Sequence, residues 1–177
     1  SGGGIRSDYL HDDPLVAHLA AEESVQYVLR NKKAGVAAGG GDAVESMTPG
    51  GDYQAFAVLT DVRVVFVVGH AEGDRVDSLA LADVLTARAE SGGFRTTVLR
   101  IETQTDTVVT FPVRGDVSEP AEYVDHAAQV WAHAARTAEN ATAAVARASR
   151  RVDEGDYEGA QHAVSGVESD LESALSD

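Results

Sequence analysis

Apolar residues are densest between Tyr53 and Gly69, where Ala55-Phe56-Ala57-Val58-Leu59 and the run from Val62 to Val68 flank Thr60-Asp61. This spacing predicts two strands about a tight turn, because an Asp side chain bonds the backbone two residues on and tolerates unusual dihedrals. Val62, Val64, Phe66 and Val68 fall on one face of the second strand, with Val65 and Val67 on the other. A strand apolar on both faces and rich in β-branched residues is a central one. Weaker alternation surrounds it. Val25, Tyr27 and Leu29 predict a first strand, and residues 34–38 a second. Arg75 to Leu81 brings Leu79 and Leu81 inward, and Val84 to Glu90 follows as a short strand. Thr97, Leu99 and Ile101 share a face, as do Val109, Phe111 and Val113. About seven short strands joined by tight turns is the spacing of a sandwich or barrel. The glycines between residues 39 and 52 cost most entropy to order and predict a mobile loop. Asp12-Asp13-Pro14 ahead of Leu15, Val16 and Leu19 predicts a short helix.

After Arg114 the period changes. Ser118 is suited to an N-cap, with Glu119 and Pro120 in the first turn. Val124, Ala127, Trp131, Ala134, Ala138, Ala141, Val145, Ala148 and Val152 then follow in alternating steps of three and four, a heptad seam. Gly155 and Asp156 read as a stop and a new N-cap. A last helix from Tyr157 to Leu175 carries Ala160, Val164, Val167, Leu171 and Ala174 as its stripe. Two antiparallel tail helices are expected. A barrel cap needs only about 15 residues, roughly 22 Å, so Trp131 and Ala134 are expected on the barrel. Ala138, Ala141, Val145, Ala148 and Val152 then need another helix, either Ala160, Val164, Val167 and Leu171 of the same chain or a second copy.

The resulting class is α+β and mainly β: a barrel capped by a helix, then a helical hairpin. Residues 1–11 form a leader beginning Ser1-Gly2-Gly3-Gly4, residues 12–136 the capped barrel, and residues 137–177 the hairpin.

Charge changes the range of functions. The chain holds 29 Asp and Glu against 14 Lys and Arg, a net −15, and Lys32 and Lys33 are its only lysines. Such a surface repels nucleic acid and anionic membranes. An acidic, lysine-poor surface spread along the whole chain fits a halophilic cytoplasm, where salt screens its self-repulsion; a dedicated basic partner is the other reading. No Cys is present, so there is neither a disulfide framework nor a thiolate site. No segment has the length and apolarity of a membrane span or the pattern of a signal segment, and a cytoplasmic location is expected.

Three stretches carry a resemblance: Glu23-Ser24-Val25-Gln26-Tyr27-Val28-Leu29-Arg30, Leu59-Thr60-Asp61-Val62-Arg63-Val64-Val65-Phe66-Val67, and Ser78-Leu79-Ala80-Leu81-Ala82-Asp83-Val84. Together with Trp131 in the capping helix, they resemble pleckstrin-homology (PH)-like domains over Leu15 to Ala135. The resemblance is to the bacterial and archaeal branch, and the acidic, lysine-poor composition adds the expectation of a halophilic archaeal source. The resemblance implies a non-catalytic interaction or assembly module with a protein partner or itself. It also implies a second reading, headgroup binding at a membrane surface through the loop after the first strand, where Arg30, Lys32 and Lys33 fall. The further cations expected on the second strand are replaced by Ala34-Gly35-Val36-Ala37-Ala38. Clamping a phosphorylated headgroup needs several convergent cations, so solvated turn lysines are the simpler account.

Other chemistry is thin. His126 and His133 share a helix face but lack the spacing and third ligand of a metal site, and His70 sits in a turn beside Glu72 and Asp74. Gly39-Gly40-Gly41 lacks the Lys-Ser/Thr of a phosphate loop. Asn140-Ala141-Thr142 matches a glycosylation acceptor by chance, on a predicted helix. Asp61 and Arg63 flank the central turn and are expected to fix it. No nucleophile–base or paired-carboxylate arrangement stands out, so an uncharacterised enzyme is only a distant third reading, and no catalytic residue, metal or cofactor is expected.

Overall fold

The computed structural model describes residues 9–40 and 43–175, with side chains of the last helix followed to residue 173. Residues 1–8 of the expected leader, Gly41-Asp42 and the side chain of Ala174 lie outside the described residues, whereas Leu10, near the leader's expected end, is buried against Phe56 and its neighbours. The chain divides into two compact units between Ala128 and Gln129; the boundary read from the sequence falls after residue 136.

The first unit holds two antiparallel sheets. One runs β1 (Val25–Asn31), β4 (Ala55–Thr60), β5 (Arg63–Val68), β6 (Arg75–Ala80). The other runs β3 (Ala43–Met47), β2 (Val36–Gly40), β9 (Val108–Arg114), β8 (Thr96–Thr103), β7 (Val84–Ser91). Register explains why nine strands appear where about seven are expected. Val25 pairs with Thr60 and Asn31 with Ala55, while Val36 pairs with Met47 and Gly40 with Ala43. β1–β2 and β3–β4 are thus two halves of one long hairpin, bent where it crosses from sheet to sheet. The expected loop over residues 39–52 is corrected accordingly, since Gly39 and Gly40 belong to β2 and residues 43–47 form β3. With the bends counted as interruptions, seven antiparallel strands in two sheets, followed by a helix, give the α+β layout expected from the sequence.

The central hairpin is buried on both faces, and each face feeds a different core. Ala55, Ala57, Leu59, Val64, Phe66 and Val68 face the interior between the sheets, with Leu99, Ile101 and Phe111 opposite. The Phe66 and Phe111 rings stand 6.0 Å apart across that interior. Phe56, Val58, Val65 and Val67 face the other way, under Leu10 and Leu15. Val62 lies in the turn and is partly exposed, outside the face expected of it. Val25 is also exposed, because β1 slips register between Val25 and Tyr27.

The expected N-terminal helix is a single 3₁₀ turn, Leu15–His18. Its would-be cap is occupied elsewhere: the Asp74 amide donates to the Asp12 carboxylate at 2.8 Å, and the amides of His11 and Asp12 donate to the Asp74 carboxylate. Two loops exchanging carboxylates satisfy each other and leave no capping group for a longer helix.

Helix α1 (Ser118–Asp153) begins in this unit. The carboxylate that holds its start belongs to Asp116, which accepts from the Ser118 amide at 2.9 Å, rather than to the Ser118 side chain. Val117, Ala121, Val124 and Ala128 close the inter-sheet core. Asp125 accepts from the Ala87 amide and the Thr86 hydroxyl, both at 2.9 Å, along the free edge of β7.

The second unit comprises the rest of α1 and α2 (Tyr157–Leu175). Gly155, at φ +81°, ends α1 in the left-handed conformation that glycine adopts without strain. The Asp156 carboxylate accepts from the Gly159 amide at 3.1 Å and caps α2 as expected. Arg151 donates across the turn to the Gly159 carbonyl.

Candidate interaction site

The Thr60–Arg63 turn is densely hydrogen-bonded. The Thr60 hydroxyl donates to the Arg63 carbonyl at 3.0 Å and accepts from the Arg63 amide at 3.1 Å. Asp61 accepts from the Ser24 amide at 2.9 Å, and the Tyr123 hydroxyl donates to the Thr60 carbonyl at 2.9 Å. Arg63 grips Glu23 through both Nε and Nη2. That grip holds the Glu23 carboxyl at about 2, against an ordinary 4.5. Every group here is answered by another part of the fold, so Asp61 and Arg63 fasten the turn, as expected.

Arg30, Lys32 and Lys33 are all exposed. The two lysines lie in the segment after the first strand, where they are expected, and that segment is a bend rather than a hairpin tip. β1 and β2 belong to different sheets, and the residues between them form the bend of the long hairpin. Asn31 clasps this bend: its amide nitrogen donates to the Gly35 carbonyl at 2.8 Å, and its oxygen accepts from the Gly35 amide at 2.7 Å. Gly35 has φ +68°, and a Cβ there would collide with the Met47 carbonyl. Ala37 and Ala38 on β2 add no cation.

Between the free edges of β3 and β6 lies a cavity of about 380 Å³. Val36, Met47 and Phe66 line its apolar side; Glu45, Asp77 and Asp83 add carboxylates, and no Lys or Arg lines it. An anionic headgroup meets only like charge there. Among the described residues, no group of three or more His, Asp or Glu is arranged to hold a metal ion, and His126 and His133 are exposed.

The tail departs from the expected seam. Trp131 is 40% exposed and Ala134 is exposed, so neither belongs to the buried core. Ala121, Val124 and Ala128 are buried on early α1, and Ala121 and Ala128 lie roughly 60–80° round the helix from Trp131. Further along, Ala144 and Ala148 are buried and Ala141 half-buried; on α2, Ala160 is buried and Ala163 and Val167 half-buried. These small residues are where the two helices close on each other. Ala138, Val145, Val152, Val164 and Leu171, expected in that seam, are exposed instead. Ala144, which the 3–4 count passed over, takes the place given to Val145. A burial-blind count cannot choose between neighbouring stripes when nearly every candidate is Ala or Val.

No family model and no curated protein matches the chain. Among solved structures it is similar to the Vps36 N-terminal PH domain, at 17% identity over 66% of this chain and 84% of that one, with a TM-score of 0.45. It is also similar to the PH domain of USP37, at 12% identity over 58% and 96% of the two chains, with a TM-score of 0.41. A third similarity is to the C-terminal domain of an unknown protein from Leishmania infantum, at 12% identity over 58% and 81%, with a TM-score of 0.37. At these values neither ligand nor partner transfers, and the functional reading rests on the residues.

Proposed function

We propose that the chain is a non-catalytic, PH-like interaction module whose helical tail is its protein-docking arm. One observation carries this reading. The sheet core is closed by Val117 to Ala128, whereas Val145, Val152, Val164 and Leu171 on the tail stand 41–56% exposed. Large apolar side chains in a regular row on a helix face are covered in a working complex. The headgroup-binding alternative has less support: Arg30 near the end of β1 and Lys32 and Lys33 on the bend after it have no further cation on β2, and the cavity between β3 and β6 is lined by carboxylates.

The experiment is flotation of the full chain with phosphatidylcholine vesicles, with and without a phosphorylated inositol lipid. The protein is expected to stay in the soluble fraction. Flotation that Lys32→Glu with Lys33→Glu abolishes would replace the interaction reading with the headgroup one.

The net charge of −15 is read as an adaptation to concentrated salt. Moving from about 1 M to about 0.01 M salt lengthens the screening distance from about 3 to 30 Å, so self-repulsion should lower the melting temperature. An unchanged melting temperature across that range would favour a dedicated basic partner.

A further inference from the structure

β3 is an open edge of the sheet unit. It ends its sheet, pairs with β2 alone among the described strands, and is exposed over residues 43–46. The outward backbone groups of such a strand are a template for another one. Two other edges are already engaged by side chains: Asp125 holds the Ala87 amide of β7, and on β6 the Asp77 carboxylate takes the Ser78 amide at 2.8 Å.

The side chains of β3 alternate between two sides. Glu45 and Met47, opposite Ala38 and Val36 of β2, line the cavity of about 380 Å³ that lies towards β6. Val44 turns the other way, beside Ala37 and Gly39 on the outer side of the sheet. The cavity has the size of a ligand pocket, for which roughly 300–1,000 Å³ is usual. Its floor opens onto the core: Phe66 and Val109 are buried there, and Met47 and Leu79 are half-buried.

The mouth has the opposite character. Glu45 stands on β3, Asp77 on β6 and Asp83 on the 3₁₀ turn after β6, and all three are exposed. Among the described residues, none of the three forms an ion pair with a Lys, Arg or His. Residues two apart on a strand share a face, so both lips repeat one pattern. Each offers an acid and then an apolar side chain, Glu45 with Met47 and Asp77 with Leu79. This charge belongs to the cavity itself and does not depend on the total for the chain.

We propose that the cleft between β3 and β6 binds an extended basic segment of another protein, which adds to β3 as an antiparallel strand. Every strand pair described in this fold is antiparallel, and addition of a strand to a free edge combines backbone pairing with pockets for alternate side chains. Direct opposition across the new pair sets the sequence that fits. An apolar residue falls opposite Met47 and enters between Met47, Leu79 and Phe66. Two positions later, a Lys or Arg falls opposite Glu45, where Asp77 and Asp83 complete its surroundings. The residue between them lies on the outer side with Val44. This site is on the sheet unit and is independent of the tail.

The test is fluorescence anisotropy of a labelled synthetic peptide of about seven residues, titrated with the full chain in about 0.15 M and about 1 M salt. The peptide carries a leucine and, two positions on, a lysine in a threonine background; circular dichroism checks that the chain is folded in each salt. The peptide should bind, and at the lower salt a version with glutamate for the lysine should bind at least about tenfold more weakly. Glu45→Lys should reverse that order and, being at an exposed position, leave the melting temperature unchanged. N-methylation of the peptide amides that face β3 should abolish binding, because it removes the donors and keeps the side chains. No binding up to about 1 mM in either salt overturns the proposal, as does equal binding of the N-methylated peptide or an unreversed order with Glu45→Lys. Tighter binding of the lysine peptide to Glu45→Gln overturns it too, and assigns the carboxylates to keeping strands off this edge. None of these outcomes bears on the tail, which vesicle flotation tests separately.

Discussion

The β4–β5 hairpin and the helical tail contain similar apolar residues put to opposite use. In the hairpin, valine and phenylalanine point to both faces and both faces are covered: one by the second sheet, the other by Leu10 and Leu15. In the tail, the large residues stay exposed and alanine occupies the buried face. Burying a Val or Phe side chain stabilises by about 1.5–3 kcal/mol, while alanine offers much less area. The first unit is therefore built to stand by itself. The tail helices hold to each other with small residues and keep their larger apolar side chains outward.

The sharpest way to break this contrast is within the first unit. Phe66 is 3% exposed and packs across the interior on Phe111. Phe66→Ala should cost on the order of 3–5 kcal/mol in denaturant unfolding, from lost transfer energy plus the cavity left behind. A loss below ~1 kcal/mol would place Phe66 outside the principal core.

A smaller effect is expected at the Glu23–Arg63 pair. Because the Glu23 pKa is depressed in the folded chain, its contribution is complete above about 4.5 and is lost as pH falls towards 2. Arg63 is 31% exposed, so solvent screening reduces the value to roughly 2 kcal/mol. Glu23→Gln should lower stability by that amount at pH 7 and flatten the stability profile between those two pH values. A profile of unchanged steepness would assign the acid sensitivity to other carboxylates.

The smallest effect on the first unit should come from the tail. Ala141→Arg with Ala148→Arg puts two long cations where alanines are buried or half-buried, and should open the hairpin with a loss of helical circular dichroism. The sheet unit should then unfold within about 0.5 kcal/mol of the wild type, as independent sites do. If the two units lost stability together, their separation into a self-sufficient core and an arm would fail.

The strands were legible in the sequence because a period of two, with turn residues between runs, leaves few alternatives. Thr60-Asp61 and the runs on either side fell where expected, and so did Leu99, Ile101, Val109 and Phe111. The interruption of the first long hairpin was not legible. Gly39 and Gly40 look like loop residues, yet they pair with Val44 and Ala43. Glycine keeps the N–H and C=O that a strand pairs through, despite its entropic cost, and only the neighbouring strand reveals the pairing. The Asp12–Asp74 exchange joins residues 62 apart in the chain, which no local pattern encodes, so the first helix was overestimated. In the tail the heptad period was visible but its phase was not. Alanine suits a buried position between close helices and an exposed one equally well, so the count could not separate the face that closes the hairpin from the one left open.

The carboxylate of Asp125 has a consequence for solubility. β7 ends its sheet and would otherwise offer its outward amides to any extended chain that came alongside. By taking the Ala87 amide and the Thr86 hydroxyl, Asp125 occupies the middle of that edge with a helix-borne side chain. A foreign strand would have to displace it before adding a rung. At high protein concentration, this aspartate hinders edge-to-edge addition at β7.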